Sequence, residues 1–404
     1  VTGGEHWIGL RRPSDLDPRE PLPDGDPELM GRILAEIRAD GPMTFARFMD
    51  LVLYDPAAGY YSGAADRPGR AGDFLTAPES HPIFGWAVAR QVEDVWDRLG
   101  RPAGFTIREH GAGTGALAAG ILDGLRRGGS SLAGQVRYQV DEVSTVRLDR
   151  IRERLATVDL AHVIEAADDR PIDGIVLANE LLDALPVHRV IGGPGGELRE
   201  LLVDVGADGA LAELAAPPST PALAARLAAE GIELRTGQRA EICLALDAWV
   251  AGAAAGLGRG LLLVIDYGYP AAELYDGARR PDGTLLAYVR HRVHTDPFAR
   301  VGRQDLTAHV DLTALASAAR AAGLEELGST TQGEFLASLG AGELLLGVQS
   351  DPSTDMPAYL EARAAFVRML DPGATGRFAV SFFGRALPDT PPLSGLSIHM
   401  PPRR

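Results

Sequence analysis

The run Phe105-Thr106-Ile107-Arg108-Glu109-His110-Gly111-Ala112-Gly113-Thr114-Gly115 constrains this chain more than any other stretch. A short apolar segment predicts a strand, alternating glycines let the backbone turn tightly, and the residues up to about Arg127 read as a helix. Strand, glycine turn and helix in that order aim helix-terminal N–H groups at a ligand. Three more runs extend the pattern: Val136 to Val140, Ile175 to Ala178, and Leu261 to Ile265, which ends at Asp266. Uninterrupted apolar runs mark strands buried on both faces of a parallel sheet. The predicted fold class is therefore α/β, a Rossmann-like, doubly wound, mostly parallel sheet.

The glycine spacing alone is ambiguous, because Gly111, Gly113 and Ala116 also satisfy the dinucleotide pattern. Two features favour S-adenosylmethionine over a nicotinamide cofactor. Three glycines alternate, and the strand ends in an acid, Glu109, which suits a cationic ligand better than a pyrophosphate. Glu109, Gly111, Ala112, Gly113 and Gly115 are the expected cofactor cradle. Asp141 and Glu142 end the second strand, where a carboxylate can accept both hydrogen bonds of a ribose diol. Strand alternation lets only one of them face the ligand.

Asn179 is the single asparagine in the chain, and it stands at the tip of the predicted strand Ile175 to Ala178, followed by Glu180 and Asp183. Ligands of open α/β sheets sit beyond such tips. Asn179, Glu180 and Asp183 are expected to lie beside the transferred group as the catalytic residues, with Asn179 also touching the cofactor. Asn179 as a helix cap is compatible with that role.

The flanks are less regular. Residues 1–27 are rich in Pro, Asp and Arg and read as a flexible arm. Residues 28–103 form an N-terminal helical and loop region, with two helices broken at Gly41-Pro42, a long loop over 54–80, and a helix from Pro82 to Leu99. The core spans 104–267 with an insertion at 194–240, containing a hairpin at Leu198 to Val205 and a helix after Pro221. A helical or irregular substrate-side insertion covers 268–345, core strands and a helix follow at 346–387, and 388–404, with five prolines, reads as a tail.

Within 268–345, Arg290, His291, His294 and His309 are dense enough to suggest metal ligands. Pro297 breaks any helix that would put the histidines on one face, so a polar, substrate-facing wall or hydrogen-bonded structural histidines are expected there and no metal. Cys243 reads as a buried small hydrophobe inside an apolar helical stretch from Ile242 to Val250. As the only cysteine it excludes an intramolecular disulfide framework and fits a cytoplasmic protein. The formal net charge of −16 argues against a nucleic-acid binder. No apolar stretch approaches the roughly 20 residues that span a bilayer.

Several ordered motifs together resemble the MidA-like class I methyltransferases, a family that includes an arginine-methylating assembly factor of mitochondrial complex I. The carriers are Phe45 to Met49 (FARFM), Tyr54 to Tyr61 (YDPAAGYY), Gly72 to Glu79 (GDFLTAPE), Ala178 to Val187 (ANELLDALPV), Val264 to Tyr269 (VIDYGY), Tyr288 to Phe298 (YVRHRVHTDPF) and Asp305 to Leu312 (DLTAHVDL). They cover roughly residues 30–386, and the chain departs from the family pattern at His110, Asp141, Ala77 and His81. The resemblance implies S-adenosylmethionine held at Gly111, Gly113, Gly115 and Glu142, with the Gly72-Asp73-Phe74 loop, continued to Thr76, closing over the mouth.

It also implies methyl transfer to arginine in a protein or peptide. Arginine is protonated at neutral pH, so a carboxylate must hold the guanidinium and help remove its proton. Glu180 and Asp183 are the candidates, with Asp73 and Glu79 as second choices, and Tyr267 is added to the substrate side. Three rival readings stand beside this one: a methyltransferase for a peptide or small natural product, a non-catalytic assembly factor, and a nicotinamide oxidoreductase. A homodimer is left open.

Overall fold

The computed structural model describes residues 24–62, 76–141, 145–156, 164–290 and 292–398, and the backbone of His6–Trp7. The chain divides into two compact units. One comprises Val1–Phe74, Leu182–Trp249 and Gly268–Ala316; the other comprises Leu75–Leu181, Val250–Tyr267 and Ser317–Arg404.

The apolar runs become the central sheet of the second unit. Its strands are β1 (Thr106–His110), β2 (Arg137–Asp141), β3 (Ile164–Ala166), β4 (Ile172–Asn179), β5 (Leu257–Asp266), β6 (Glu325–Thr331) and β7 (Ala379–Arg385). They lie in the order β6-β7-β5-β4-β1-β2-β3. Strands β3, β2, β1, β4 and β5 are parallel, and β7 runs antiparallel to β5 and to β6. The order reverses between β1 and β4, which opens a crevice at their carboxyl ends. Register aligns those ends: His110 sits beside Ala178 and Asp141, and Asn179 beside Ile265.

Alternate residues Leu261, Leu263 and Ile265 of β5 pack with Phe84, Ile121, Phe335 and Phe382 in one core. The helices Ile83–Arg98 and Ala116–Arg127 cross where Gly85 meets Gly120; a Cβ on Gly85 would stand 2.5 Å from the Gly120 Cα. Helix Ile83–Arg98, read from the sequence with the N-terminal region, packs in this second unit. The expected loop over 54–80 contains a short helix, Ala77–Ser80.

The proline-rich end needs correcting. Read as a tail, it belongs to the fold through Ile398: the Arg98 guanidinium donates to the carbonyls of Pro388, Pro391 and Pro392 at 2.7–2.9 Å. Asp94 and Gln91 accept the N–H groups of Ser394 and Gly395, and Leu393 is buried. Proline removes a donor but leaves its carbonyl, and one arginine gathers three of them.

In the first unit, Asp26 and Thr44 cap the helices Pro27–Asp40 and Phe45–Tyr54, which separate at Gly41-Pro42 as the sequence suggests. The insertion at 194–240 carries the expected strand Leu198–Val205, paired with Leu211–Ala216, and the helix Pro221–Ala229, whereas the substrate-side insertion, expected to be helical or irregular, carries strands too. One antiparallel sheet has the order 211–216, 198–205, 188–192, 239–242; another has 6–7, 292–294, 286–289, 305–307. The strands 286–289, 292–294 and 305–307 hold too few residues for a visible two-residue period, and their Arg and His residues masked the rest. Ile33, Phe45, Phe48, Val203 and Leu306 share a core. Cys243 lies between strand Arg239–Ile242 and helix Ala245–Ala255, not inside a helix. Burial pushes its thiol up to about 12, so it behaves as a small hydrophobe.

Candidate active site

The glycine turn leaves β1 with φ of +67° at Gly111, +56° at Gly113 and +76° at Gly115, values that side chains rarely adopt. Gly111 N–H donates to the Asp141 carbonyl at 3.1 Å, tying the turn to the β2 tip. A Cβ at Gly111 would stand 2.7 Å from Leu181 Cδ1 and one at Gly115 2.8 Å from Ile151 Cγ2, whereas one at Gly113 would meet nothing within 4 Å. The turn is packed at both ends and open in the middle, the shape of a backbone cradle at a helix start.

Glu109 is 3% exposed, and its Oε2 accepts the Tyr138 hydroxyl at 2.6 Å. Burial raises its carboxyl to about 7 despite that bond. The acid expected to meet a cationic ligand thus braces β1 against β2. At the β2 tip, Asp141 is exposed and its Oδ2 lies 3.5 Å from His110 Nδ1. Burial lowers the His110 pKa.

At the β4 tip, Glu180 takes φ of +49°, a left-handed conformation that is costly for a side chain and is shared by Arg101, Arg290 and Ala386. Its N–H bonds the Ile265 carbonyl at 2.8 Å. Its Oε1 accepts from Asn179 Nδ2 at 3.3 Å and from Ala77 N–H at 3.4 Å. Asp266 secures the next residue: its Oδ2 accepts Leu181 N–H at 3.1 Å and its Oδ1 accepts Tyr267 N–H at 2.8 Å. Sequence reasoning left Asp266 out of the site. The signal was present, since it ends the Leu261 to Ile265 run as Asn179 ends the Ile175 to Ala178 run.

The short helix Ala77–Ser80 links these parts. Its Ala77 N–H reaches Glu180, and its Glu79 Oε1 accepts the Thr114 hydroxyl at 2.9 Å. Arg154 donates to Thr114 Oγ1 at 2.6 Å. Burial raises the Glu79 pKa. Thr76 precedes this helix and accepts the Ser80 hydroxyl at its carbonyl. Ala112 is buried in the turn, and the Tyr267 ring is buried 5.1 Å from Phe378. The structure therefore gathers Thr76, Glu79, the three glycines, Asn179 and Glu180 at the strand tips of one unit. Gly72, Asp73, Phe74, Glu142 and His291 lie outside the described residues.

Asp183, Arg290, His294 and His309 belong to the first unit. Asp183 is buried, and its carbonyl accepts Ala308 N–H at 2.9 Å. Tyr61 donates to both oxygens of Asp305 at 2.9 Å and stacks on Tyr54, whose hydroxyl bonds the Ala184 carbonyl. Burial first, then the charges of Asp305 and Asp183, hold the Tyr61 hydroxyl well above its usual pKa. These tyrosines and Asp305 sat in recognised motifs without an assigned role. Arg290 turns the chain at φ +45°. His294 Nδ1 accepts Asp296 N–H at 3.3 Å. His309 lies 5.5 Å from the Tyr269 ring and lines a cavity of about 770 Å³ with Arg189, Glu213, Arg239 and Phe298.

The strand order with its single reversed strand, and the glycine cradle beside an acid-bearing β4 tip, define a class I methyltransferase. The residues fit S-adenosylmethionine: Gly113 leaves open backbone, and Asn179 Oδ1 is buried without a hydrogen-bond partner among the described residues. The chain belongs to the MidA-like family of these enzymes. A family model described as "Putative S-adenosyl-L-methionine-dependent methyltransferase" matches residues 87–330. The chain is 30% identical to protein arginine methyltransferase NDUFAF7 of Rattus norvegicus, over 80% of this chain and 78% of that one. It is 29% identical to the Homo sapiens protein of the same name, over 88% and 83%. A crystal structure from Burkholderia thailandensis, described as a "likely methyl transferase" bound to S-adenosyl-homocysteine, superposes with a TM-score of 0.84 at 36% identity, covering 93% of this chain and 98% of that one. The protein is an S-adenosylmethionine-dependent methyltransferase.

Proposed function

We propose that this enzyme N-methylates an arginine side chain of a protein. One observation carries the reading: a carboxylate, Glu180, is held in a strained backbone conformation at the tip of β4, beside the cofactor cradle. The names of the relatives, at 29–30% identity over most of the chain, support the same substrate.

Bound S-adenosylmethionine supplies a methyl group on a sulfonium, ready for in-line displacement. The chain's tasks are alignment, exclusion of water and proton removal. A guanidinium is charged at neutral pH and has no free lone pair for attack. Glu180 pairs with it through charge-assisted hydrogen bonds and takes the proton as the new N–C bond forms. Asn179 and Ala77 hold Oε1 of Glu180 from two sides, so the carboxylate keeps its aim without reorganising. The net charge of −16 favours encounter with a cationic acceptor.

The test is incubation of the purified protein with methyl-labelled S-adenosylmethionine and a lysate of its source cells, followed by acid hydrolysis of the labelled protein. Label in methylarginine supports the reading. Label confined to small molecules, or to another amino acid, contradicts it.

A further inference from the structure

Among the described residues, the buried side-chain oxygens at the β1–β4 crevice include Oε2 of Glu79 and Oδ1 of Asn179, neither with a hydrogen-bond donor. Neither can turn to find one. Asn179 presents Nδ2 to Glu180 Oε1, a carboxylate oxygen that can only accept, so the amide orientation is set and Oδ1 faces the other way. Glu79 is held through Oε1 by the Thr114 hydroxyl, which Arg154 fixes in turn. The two residues are joined by one element. The helix Ala77–Ser80 hangs from Glu180 at its first residue and from the glycine turn at its third.

A local role for Glu79 was the first alternative. Thr76-Ala77-Pro78-Glu79 has the spacing of a capping box, in which the acid reaches back to the cap residue. That box is incomplete: the Thr76 N–H and hydroxyl lie near enough to favour the Glu79 carboxylate, but Thr76 makes no side-chain cap bond, Oε1 is taken by Thr114, and no donor among the described residues meets Oε2 at hydrogen-bond geometry. A buried carboxylate oxygen without a donor is costly, and two bare acceptors tied to one short helix and one strand tip call for a ligand that brings several donors.

Of the groups on S-adenosylmethionine, the methionyl α-ammonium is the cationic one with multiple N–H donors. The ribose diol needs an acid at the β2 tip, and in the sheet β2 lies on the far side of β1 from β4. The end of the cofactor nearest β4 and the helix Ala77–Ser80 is then the amino-acid end. We propose that Glu79 and Asn179 together seat this ammonium, Glu79 through its free carboxylate oxygen and Asn179 through its amide oxygen. The proposal rests on the assignment of the glycine turn as the S-adenosylmethionine cradle. It makes Glu79 a cofactor-binding residue and removes it from the candidates for the base.

The experiment is calorimetric titration of the full chain and of Glu79→Gln and Asn179→Ala with three ligands. These are S-adenosylhomocysteine, its deaminated analogue that keeps the carboxylate, and 5′-methylthioadenosine, which lacks the amino-acid end. Losing a charge-assisted hydrogen bond should weaken S-adenosylhomocysteine binding by Glu79→Gln roughly ten- to a hundred-fold. Asn179→Ala should weaken it by a smaller factor. Methylthioadenosine should bind both variants within about two-fold of the parent, which also reports that they are folded, and the deaminated analogue should no longer distinguish parent from Glu79→Gln. Unchanged S-adenosylhomocysteine affinity in Glu79→Gln overturns the proposal. So does an equal loss for methylthioadenosine, which would make Glu79 a support of the turn. A parent chain that binds none of the three ligands overturns the cradle assignment itself.

Discussion

Asp266 and Asp305 are both buried carboxylates on strands, and they are held in opposite ways. Asp266, in the second unit, accepts backbone N–H groups from Leu181 and from its own neighbour Tyr267. Asp305, in the first unit, accepts a phenol from Tyr61, 244 residues away in the chain. A backbone-held carboxylate keeps its place whatever side chains surround it. A side-chain-held one depends on a distant aromatic being packed correctly. The strand tips of the second unit are therefore built from short consecutive motifs, and the acid–tyrosine centre of the first from separate segments.

The contrast can be broken at the backbone end first. Gly111→Val should have the largest effect. A β-branched residue at φ +67° costs more than the roughly 1–2 kcal/mol of ordinary left-handed strain and would also press on Leu181. S-adenosylhomocysteine affinity should fall on the order of a hundred-fold in calorimetry, and undiminished binding would mean the turn is not the cradle. Next comes Glu109→Gln. The folded-state pKa of about 7 lies above the ordinary glutamate value of 4.5, so the folded form holds the proton more tightly. Its stabilising contribution is full below 4.5 and is lost as pH rises through 7. Denaturant unfolding should show Glu109→Gln gaining about 2–3 kcal/mol over the parent at pH 8 and little at pH 4. A pH-independent difference would remove the buried proton from the account.

Asp266→Asn replaces one acceptor oxygen by a donor that faces a backbone N–H. A cost of about 2 kcal/mol is expected. Turnover should fall with it while S-adenosylhomocysteine affinity changes little, because the turn that carries Glu180 loosens. Unchanged turnover would detach Asp266 from the placement of Glu180. Tyr61→Phe is the smallest change. It takes one donor from Asp305, costs about 1 kcal/mol, and should shift thermal unfolding without touching cofactor affinity. If it lowers cofactor affinity as much as Gly111→Val does, the division between the two kinds of site fails.

The same contrast explains what could be read in the chain. The apolar runs ending at Asn179 and Asp266, and the glycines after Glu109, announce a parallel sheet and its ligand-bearing edge, because burial on both faces leaves an unbroken apolar signature. Glu109 was legible as a strand-end acid, but its burial beneath Tyr138 was not, since that depends on how β2 lies against β1. In the first unit the eight-residue strand Leu198–Val205 was legible as a hairpin, but the strands between 286 and 307 were not, since they are three or four residues long and interleaved with arginine and histidine. The end after Pro388 looked like a tail because proline count says nothing about carbonyls that Arg98 can gather.

The claim that most needs testing is that Glu180 takes the proton during methyl transfer. Rapid-quench single turnover with labelled S-adenosylmethionine and an arginine-bearing acceptor would compare the parent chain with Glu180→Gln. The prediction is a transfer rate lowered at least roughly a hundred-fold with S-adenosylhomocysteine affinity retained. An unchanged transfer rate would contradict it and leave the strained residue at the β4 tip without a chemical role.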